Sequence, residues 1–329
     1  MATYKGIKGF KTQSLGSDPS PLLEGQVWYN TAGNALKFGG QGGAWASANG
    51  LITPRDAMSC SSTSTSSVIV AGGYSGGPPV DPGQTTTELY DGTSFATVNA
   101  MNINRAYGAG SGITTNGMAF GGEAGAGVKL SSAEYYNGTS WAGQPTMGDG
   151  RANLGGTGQA YTATLAYGGD IGPGTLPGAT ELFNGGTWST RTAMNTGRRY
   201  IGSGGGSWNT ALAIGGYGPT IYANVEEYNG TTWTEKADLN TARYNLGASH
   251  EGAPTVSMAF GGEAPASTSA AETYDGTCWA TVSSLGSARY GLRGAGSSTA
   301  AYATCGTPRA ANNSEEWGFI TQVKTVTTS

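Results

Sequence analysis

Charge is scarce in this chain: Asp, Glu, Lys and Arg make up 12% of 329 residues and sum to -4. So few cations cannot assemble a basic face, which excludes wrapping of nucleic acid and docking on an anionic membrane. Histidine occurs once, at His250. Copper or zinc chemistry draws on clustered imidazoles, and Ser-His-Asp or Cys-His systems need a partner that nothing marks for His250. No catalytic residue, cofactor or metal is therefore expected, and His250, beside Glu251, reads as a solvated turn residue. The three cysteines, Cys60, Cys278 and Cys305, are far apart with no Cys-x-x-Cys pair. That excludes a disulfide framework or zinc knuckle and leaves them as small buried fillers. No apolar run resembles a secretory core or a membrane span, so the expectation is a soluble protein made in a reducing cytosol.

Glycine, by contrast, occurs 58 times, with 17 tyrosines, 8 tryptophans and much threonine, serine and alanine. This mixture suits short strands and tight turns, not long helices. Self-similarity sharpens the reading. A small or β-branched run ending in a glycine pair recurs as VIVAGG at Gly72–Gly73, MAFGG at Gly121–Gly122, LAYGG at Gly168–Gly169, LAIGG at Gly215–Gly216 and MAFGG at Gly261–Gly262, with YATCG at Cys305–Gly306. A Glu-x-aromatic-Asp/Asn-Gly element starts at Glu88, Glu134, Glu181, Glu226 and Glu272, with a worn copy at Glu315. An aromatic, then Leu or Met, then Arg forms a third element, at Phe95/Met101/Arg105, Trp141/Met147/Arg151, Trp188/Met194/Arg198, Trp233/Leu239/Arg243 and Trp279/Leu285/Arg289. Its remaining copy, Trp45/Leu51/Arg55, precedes all the others. The last unit thus lacks an outer strand, and the start of the chain carries a spare one.

Asp-Gly and Asn-Gly between strand-like runs predict hairpins with type I′ turns, joining the third strand of each unit to its fourth. The segments after each Arg, such as YIGSGGGS from Tyr200, are poor in bulk, as innermost strands crowded by their neighbours must be. Residues required once per unit carry architecture: Arg55, Arg105, Arg151, Arg198, Arg243 and Arg289, with Glu88, Glu134, Glu181, Glu226, Glu272 and Glu315, are expected to hold units together through hydrogen bonds or ion pairs.

A glycine pair after an apolar strand, an aromatic-Asp/Asn-Gly turn, a Trp and an Arg opening the next unit resemble the kelch repeat, over about Ala44 to Gly318. The resemblance implies an all-β fold, a six-bladed β-propeller, with one blade completed by strands from both chain ends. It divides the chain into an N-terminal attachment arm, 1–43, and the propeller, 44–329. The turn YNGTSW at Tyr136 also resembles the sialidase Asp-box but lacks its Ser-x-Asp start. The leader GQVWYNTAGNALKFGGQGGAW, from Gly25 to Trp45, resembles a segment of structural proteins of tailed, especially marine, bacteriophages. It implies a virion component, a tail fibre, tail-associated or capsid decoration protein, present in multiple copies. As plain structure, Val27–Tyr29 and Ala35–Phe38 read as a hairpin.

Length variation locates a ligand face. From the second glycine to the Glu the count runs 15, 12, 12, 10, 10 and 9, so the loop between second and third strands tolerates change, and recognition concentrates on such loops. The candidate face carries Tyr74, Pro78, Pro79 and Asp81 from the longest loop, with Glu123, Asp170, Tyr217 and Glu263 from others. Tyr107, Tyr200, Tyr244 and Tyr290 lie near the joints between units, where rings stack on sugars or pack on protein. Three functions compete: a non-enzymatic virion protein that displays a propeller for adhesion to host glycan or protein; a bacterial kelch-type interaction scaffold; and a carbohydrate-active enzyme using loop carboxylates such as Asp81, Glu123, Asp170 and Glu263.

Overall fold

The computed structural model describes residues 13–22, 26–76, 83–125, 127–172, 174–250, 253–308 and 314–325. They belong to two compact units, Met1–Ala44 with Gly318–Ser329, and Trp45–Trp317. In the smaller unit Val27–Asn30 pairs with the start of Ala35–Ala48, Val27 opposite Phe38, and Gln13–Leu15 runs parallel to Val27–Asn30. Asp18 ties this hairpin together, accepting from Trp28 Nε1 at 3.1 Å, Asn30 Nδ2 at 2.7 Å and Lys37 Nζ at 3.1 Å. The Asn30 amide and the Lys37 ammonium hold its carboxyl below the ordinary carboxylate range.

The larger unit is all-β and built from four-stranded antiparallel sheets, an architecture compatible with a β-propeller. The first sheet is Ser59–Ser64, Ser67–Ala71, Thr87–Tyr90 and Phe95–Val98. The next four follow the same up-and-down order, with innermost strands Ala109–Ile113, Gly155–Thr157, Gly202–Gly204 and Gly247–Ala248. The sixth sheet holds Arg293–Gly296, Ala301–Thr304, the strand beginning at Ser314 and, beside that, the strand that carries Trp45. Trp45 packs on Trp317 with ring centroids 5.6 Å apart and edge-on to Phe260 at 5.1 Å.

Small residues on the innermost strands have a steric cause. A Cβ on Gly110 would lie 2.7 Å from the Cys60 carbonyl of the preceding sheet, and one on Gly294 only 2.4 Å from that of Ala248. The second strands, VIVA, MAF, LAY and their kin, are buried on both faces. Their side chains form apolar clusters, each shared by two consecutive sheets: Tyr167 with Trp233, Val225 with Trp279, Phe120 with Phe183, Ile69 with Trp141 and Phe260 with Trp317. A further cluster joins Val70 and Tyr90 of the first sheet to Ala295 and Tyr302 of the sixth.

Backbone hydrogen bonds link the same sheets. Two residues after each repeat Arg, Ala57, Tyr107, Asn153, Tyr200, Asn245 and Gly291 take left-handed φ, between 54° and 69°. Each N–H donates to the carbonyl of the equivalent residue one sheet back: Tyr107 to Ala57 at 2.6 Å, Asn153 to Tyr107 at 2.8 Å, Tyr200 to Asn153 and Asn245 to Tyr200 at 2.9 Å, Gly291 to Asn245 at 2.8 Å, and Ala57 to Gly291 at 3.2 Å. Left-handed φ costs a non-glycine residue about 1–2 kcal/mol, which these hydrogen bonds offset.

The repeat charges pair throughout. Arg105 meets Glu134 at 3.0 Å, Arg151 meets Glu181 at 2.6 Å, Arg243 meets Glu272 at 2.8 Å and Arg289 meets Glu315 at 3.0 Å, while Arg55–Glu88 and Arg198–Glu226 are closer still. Each carboxylate also accepts backbone N–H groups from the segment leaving the previous sheet: Asn102 for Glu134, Gly148 for Glu181, Asn195 for Glu226. The pair therefore clamps one sheet to the next.

Two sequence expectations need correction. The hairpins between third and fourth strands are present, but Tyr90 pairs with Phe95, so residues 91–94 form a four-residue loop and not a type I′ turn. Asp91 Oδ1 accepts from both Thr93 N and Ser94 N at 2.8 Å, so Gly92 alone turns left-handed. The same side-chain cap recurs at Asn137, Asn184, Asn229 and Asp275. Among the cysteines, Cys60 and Cys305 are buried fillers, whereas Cys278 is exposed in its loop.

Candidate ligand-binding face

At one end of the sheets the chain is shaped by a recurring bridge. The residue after each repeat Arg pairs with the residue after the glycine pair: Asp56 with Tyr74, Ala106 with Glu123, Ala152 with Asp170, Arg199 with Tyr217, Tyr244 with Glu263 and Tyr290 with Thr307. The two positions so joined, and the left-handed residue that follows the repeat Arg by two, place one set of side chains around the hydrogen-bonded circuit. Tyr107, Arg199, Tyr200, Tyr217, Tyr244, Asn245, Glu263 and Tyr290 line a basin of about 330 Å³.

Six of the twelve residues assigned to the face by sequence thus meet in one basin: Tyr107, Tyr200, Tyr217, Tyr244, Tyr290 and Glu263. Glu123 and Asp170 belong instead to a charge network: Lys129 Nζ lies 2.6 Å from Glu123 and 3.1 Å from Asp170, and Arg199 reaches Asp170 at 2.8 Å. Tyr74 is engaged by the Asp56 bridge and does not line the basin. Pro78, Pro79 and Asp81 lie outside the described residues.

The rings form a connected wall. Tyr244 lies 5.8 Å from Tyr200 and 5.2 Å from Tyr217, and the Arg199 guanidinium stacks over Tyr200 at 5.1 Å and over Tyr217 at 5.6 Å. Burial, then the nearby Glu263, pushes the Tyr244 phenol up to about 12; burial, then Asp56, does the same to Tyr107. Both stay protonated donors at neutral pH. Burial also raises the Glu263 carboxyl, against the lowering effect of its hydrogen bond with Tyr244. Burial, the largest single effect on Arg199, works to lower it, but the hydrogen bond to Asp170 together with the charges of Tyr200, Asp170 and Tyr217 raises it overall.

Sequence reasoning missed Arg199, Lys129 and Asn245. Arg199 carried a signal, as a second arginine directly after a repeat Arg, and Asn245 another, since asparagine tolerates left-handed backbone. Lys129 had none. Chemically the basin offers aromatic faces, phenolic donors, one carboxylate and one oriented guanidinium. Among the described residues no cluster of His, Cys, Asp and Glu fits a metal ion, and no helix is long and apolar enough to cross a membrane. No protein-family model matches the chain, and no curated protein matches it either.

Proposed function

We propose that the Trp45–Trp317 unit is a six-bladed kelch-like propeller closed by the strand carrying Trp45, and that it is a non-enzymatic binding module displayed on a phage virion. The closed circuit of backbone hydrogen bonds from Ala57 through Gly291 supports the ring. The leader Gly25–Trp45, by its resemblance to phage structural segments, supports the virion setting, with the N-terminal arm contacting other virion proteins.

The observation that carries the binding role is the tyrosine-walled basin. Flat rings present an apolar face to the C–H side of a sugar, while Glu263, Asn245 and Arg199 supply hydrogen bonds for hydroxyls. Loss of one stacking ring costs roughly 1 kcal/mol or more, close to tenfold in affinity. A glycan microarray probed with the wild-type protein and with Tyr244→Ala is the test. Expected is binding to a narrow set of bacterial surface glycans that falls about tenfold in the variant with no loss of thermal stability. Binding that Tyr244→Ala leaves unchanged moves the ligand away from this basin. Gold-labelled antibody against the chain, applied to purified phage particles, tests the setting.

A further inference from the structure

The charges around the tyrosine basin do not cancel. The bridged positions after the repeat Arg and after the glycine pair supply four carboxylates, Asp56, Glu123, Asp170 and Glu263, against one cation, Arg199. Lys129 adds a second cation. Pairing then sorts these groups. Lys129 reaches both Glu123 and one oxygen of Asp170, while Arg199 takes the other Asp170 oxygen, so two cations and two carboxylates form a neutral set. Asp56 is engaged by the Thr307 hydroxyl and does not line the basin. Glu263 does line it, and among the described residues it pairs with no Lys or Arg. Half-buried, it stays in touch with water and is a carboxylate at neutral pH.

The wall around that carboxylate suits a positive charge. Aromatic faces carry partial negative charge and attract cations, and this wall already holds one, the Arg199 guanidinium over Tyr200 and Tyr217. Anchored by Asp170, that guanidinium has its charge met within the wall. Among the described residues no cation lies over Tyr107, Tyr244 or Tyr290. Tyr244 is also the bridge partner of Glu263, so an uncovered ring and an unpaired carboxylate meet at one place. The basin, about 330 Å³, lies at the lower end of ligand pockets, which run roughly 300–1,000 Å³, a size suited to a short saccharide.

We propose that the basin selects a sugar bearing a free, protonated amino group over neutral, N-acetylated and acidic sugars, the ammonium held by the Glu263 carboxylate against the Tyr244 ring. This rests on the glycan-binding reading above and names the class of glycan. An ammonium N–H donates to the carboxylate in a charge-assisted hydrogen bond. Acetylation removes the charge, and an acidic sugar sets like charge against Glu263.

The methyl glycosides of glucose, glucosamine, N-acetylglucosamine and glucuronic acid share one ring and differ in charge. Each is titrated into the full chain by ligand-observed NMR at about pH 6.5, where the amine is protonated. Expected is glucosamine binding about tenfold more tightly than glucose, glucuronic acid binding most weakly, and a Glu263→Gln variant that binds glucosamine and glucose equally. Should Glu263→Gln fail to fold, salt decides on the wild type: raising it from about 0.05 to 0.5 M should narrow the glucosamine-to-glucose ratio. Equal binding of the two sugars by wild type, both weakened by Tyr244→Ala, overturns the amine selectivity while the glycan site stands. No binding of any of the four overturns both. Preference for glucuronic acid, a ratio that survives Glu263→Gln or high salt, or a blocked lysine amide that binds more tightly than glucosamine likewise overturns the proposal.

Discussion

Arg198 has no exposed surface, and its guanidinium serves four acceptors: Glu226, and the carbonyls of Gly215 at 2.8 Å, Ala213 at 3.0 Å and Thr196 at 3.0 Å. Glu226 is equally buried. Truncating one partner of such a pair leaves the other charge uncompensated, which costs about 3–5 kcal/mol, whereas replacing both by apolar groups of similar volume is far milder. Arg198→Ala is therefore expected to lower unfolding free energy by about 3–5 kcal/mol, and Arg198→Met with Glu226→Leu by clearly less. Urea unfolding of the two variants beside wild type measures this. A loss below 1 kcal/mol for Arg198→Ala would mean the pair contributes little beyond its neighbours.

His250 supplies a pH signature. Its folded value of about 4 lies below the ordinary 6.5, so the unfolded chain takes up the proton first. This contribution leaves stability whole above pH 6.5 and removes it progressively as pH falls toward 4. Acidic groups titrate in the same range, so the informative quantity is the difference between wild type and His250→Gln. The variant is expected to lose less stability between pH 7 and pH 4.5, read by denaturant unfolding at each pH. Identical slopes would return the imidazole to solvent.

At the scale of the element, much was legible because the repeat is written in residues whose reasons are local. Glycine pairs mark the ends of second strands, since Gly72 and Gly73 both take positive φ. The Glu-x-aromatic run and its Trp mark the third and fourth strands, and the hairpin at Val27–Asn30 falls where the leader was read as one. What local pattern could not carry was the choice among turns of similar composition. Asp-Gly suits a two-residue loop, yet the carboxylate of Asp91 is worth two N–H acceptances, which makes the longer loop with one left-handed residue preferable. Contacts across sheets were hidden for a different reason: Lys129 and Asp170 are far apart in sequence and unremarkable in composition, and only the fold puts them 3.1 Å apart. His250 lies outside the strands, as its polar neighbours suggest, but is only partly exposed.

At the scale of the whole Trp45–Trp317 unit, cooperativity is the consequence with most reach. Every sheet shares an apolar cluster with the one before and the one after, and the sixth shares one with the first. In an open array with free ends, stability is a sum over neighbours and terminal sheets can fray alone. In the proposed ring no sheet is terminal, so damage at one joint weakens all. Trp45 tests this well, because it stands at the joint completed from the start of the chain, packed on Phe260 and Trp317. Trp45→Ala removes a large, partly buried ring and is expected to cost about 2–4 kcal/mol. The loss should appear as one downward shift of a single calorimetric transition, with van't Hoff and calorimetric enthalpies still agreeing for the larger unit. A new low-temperature transition, leaving the sheets from Ser59 to Val282 folded, would instead mean that the last sheet is an appendage and that the circuit through Ala57 and Gly291 does not bind the ends together.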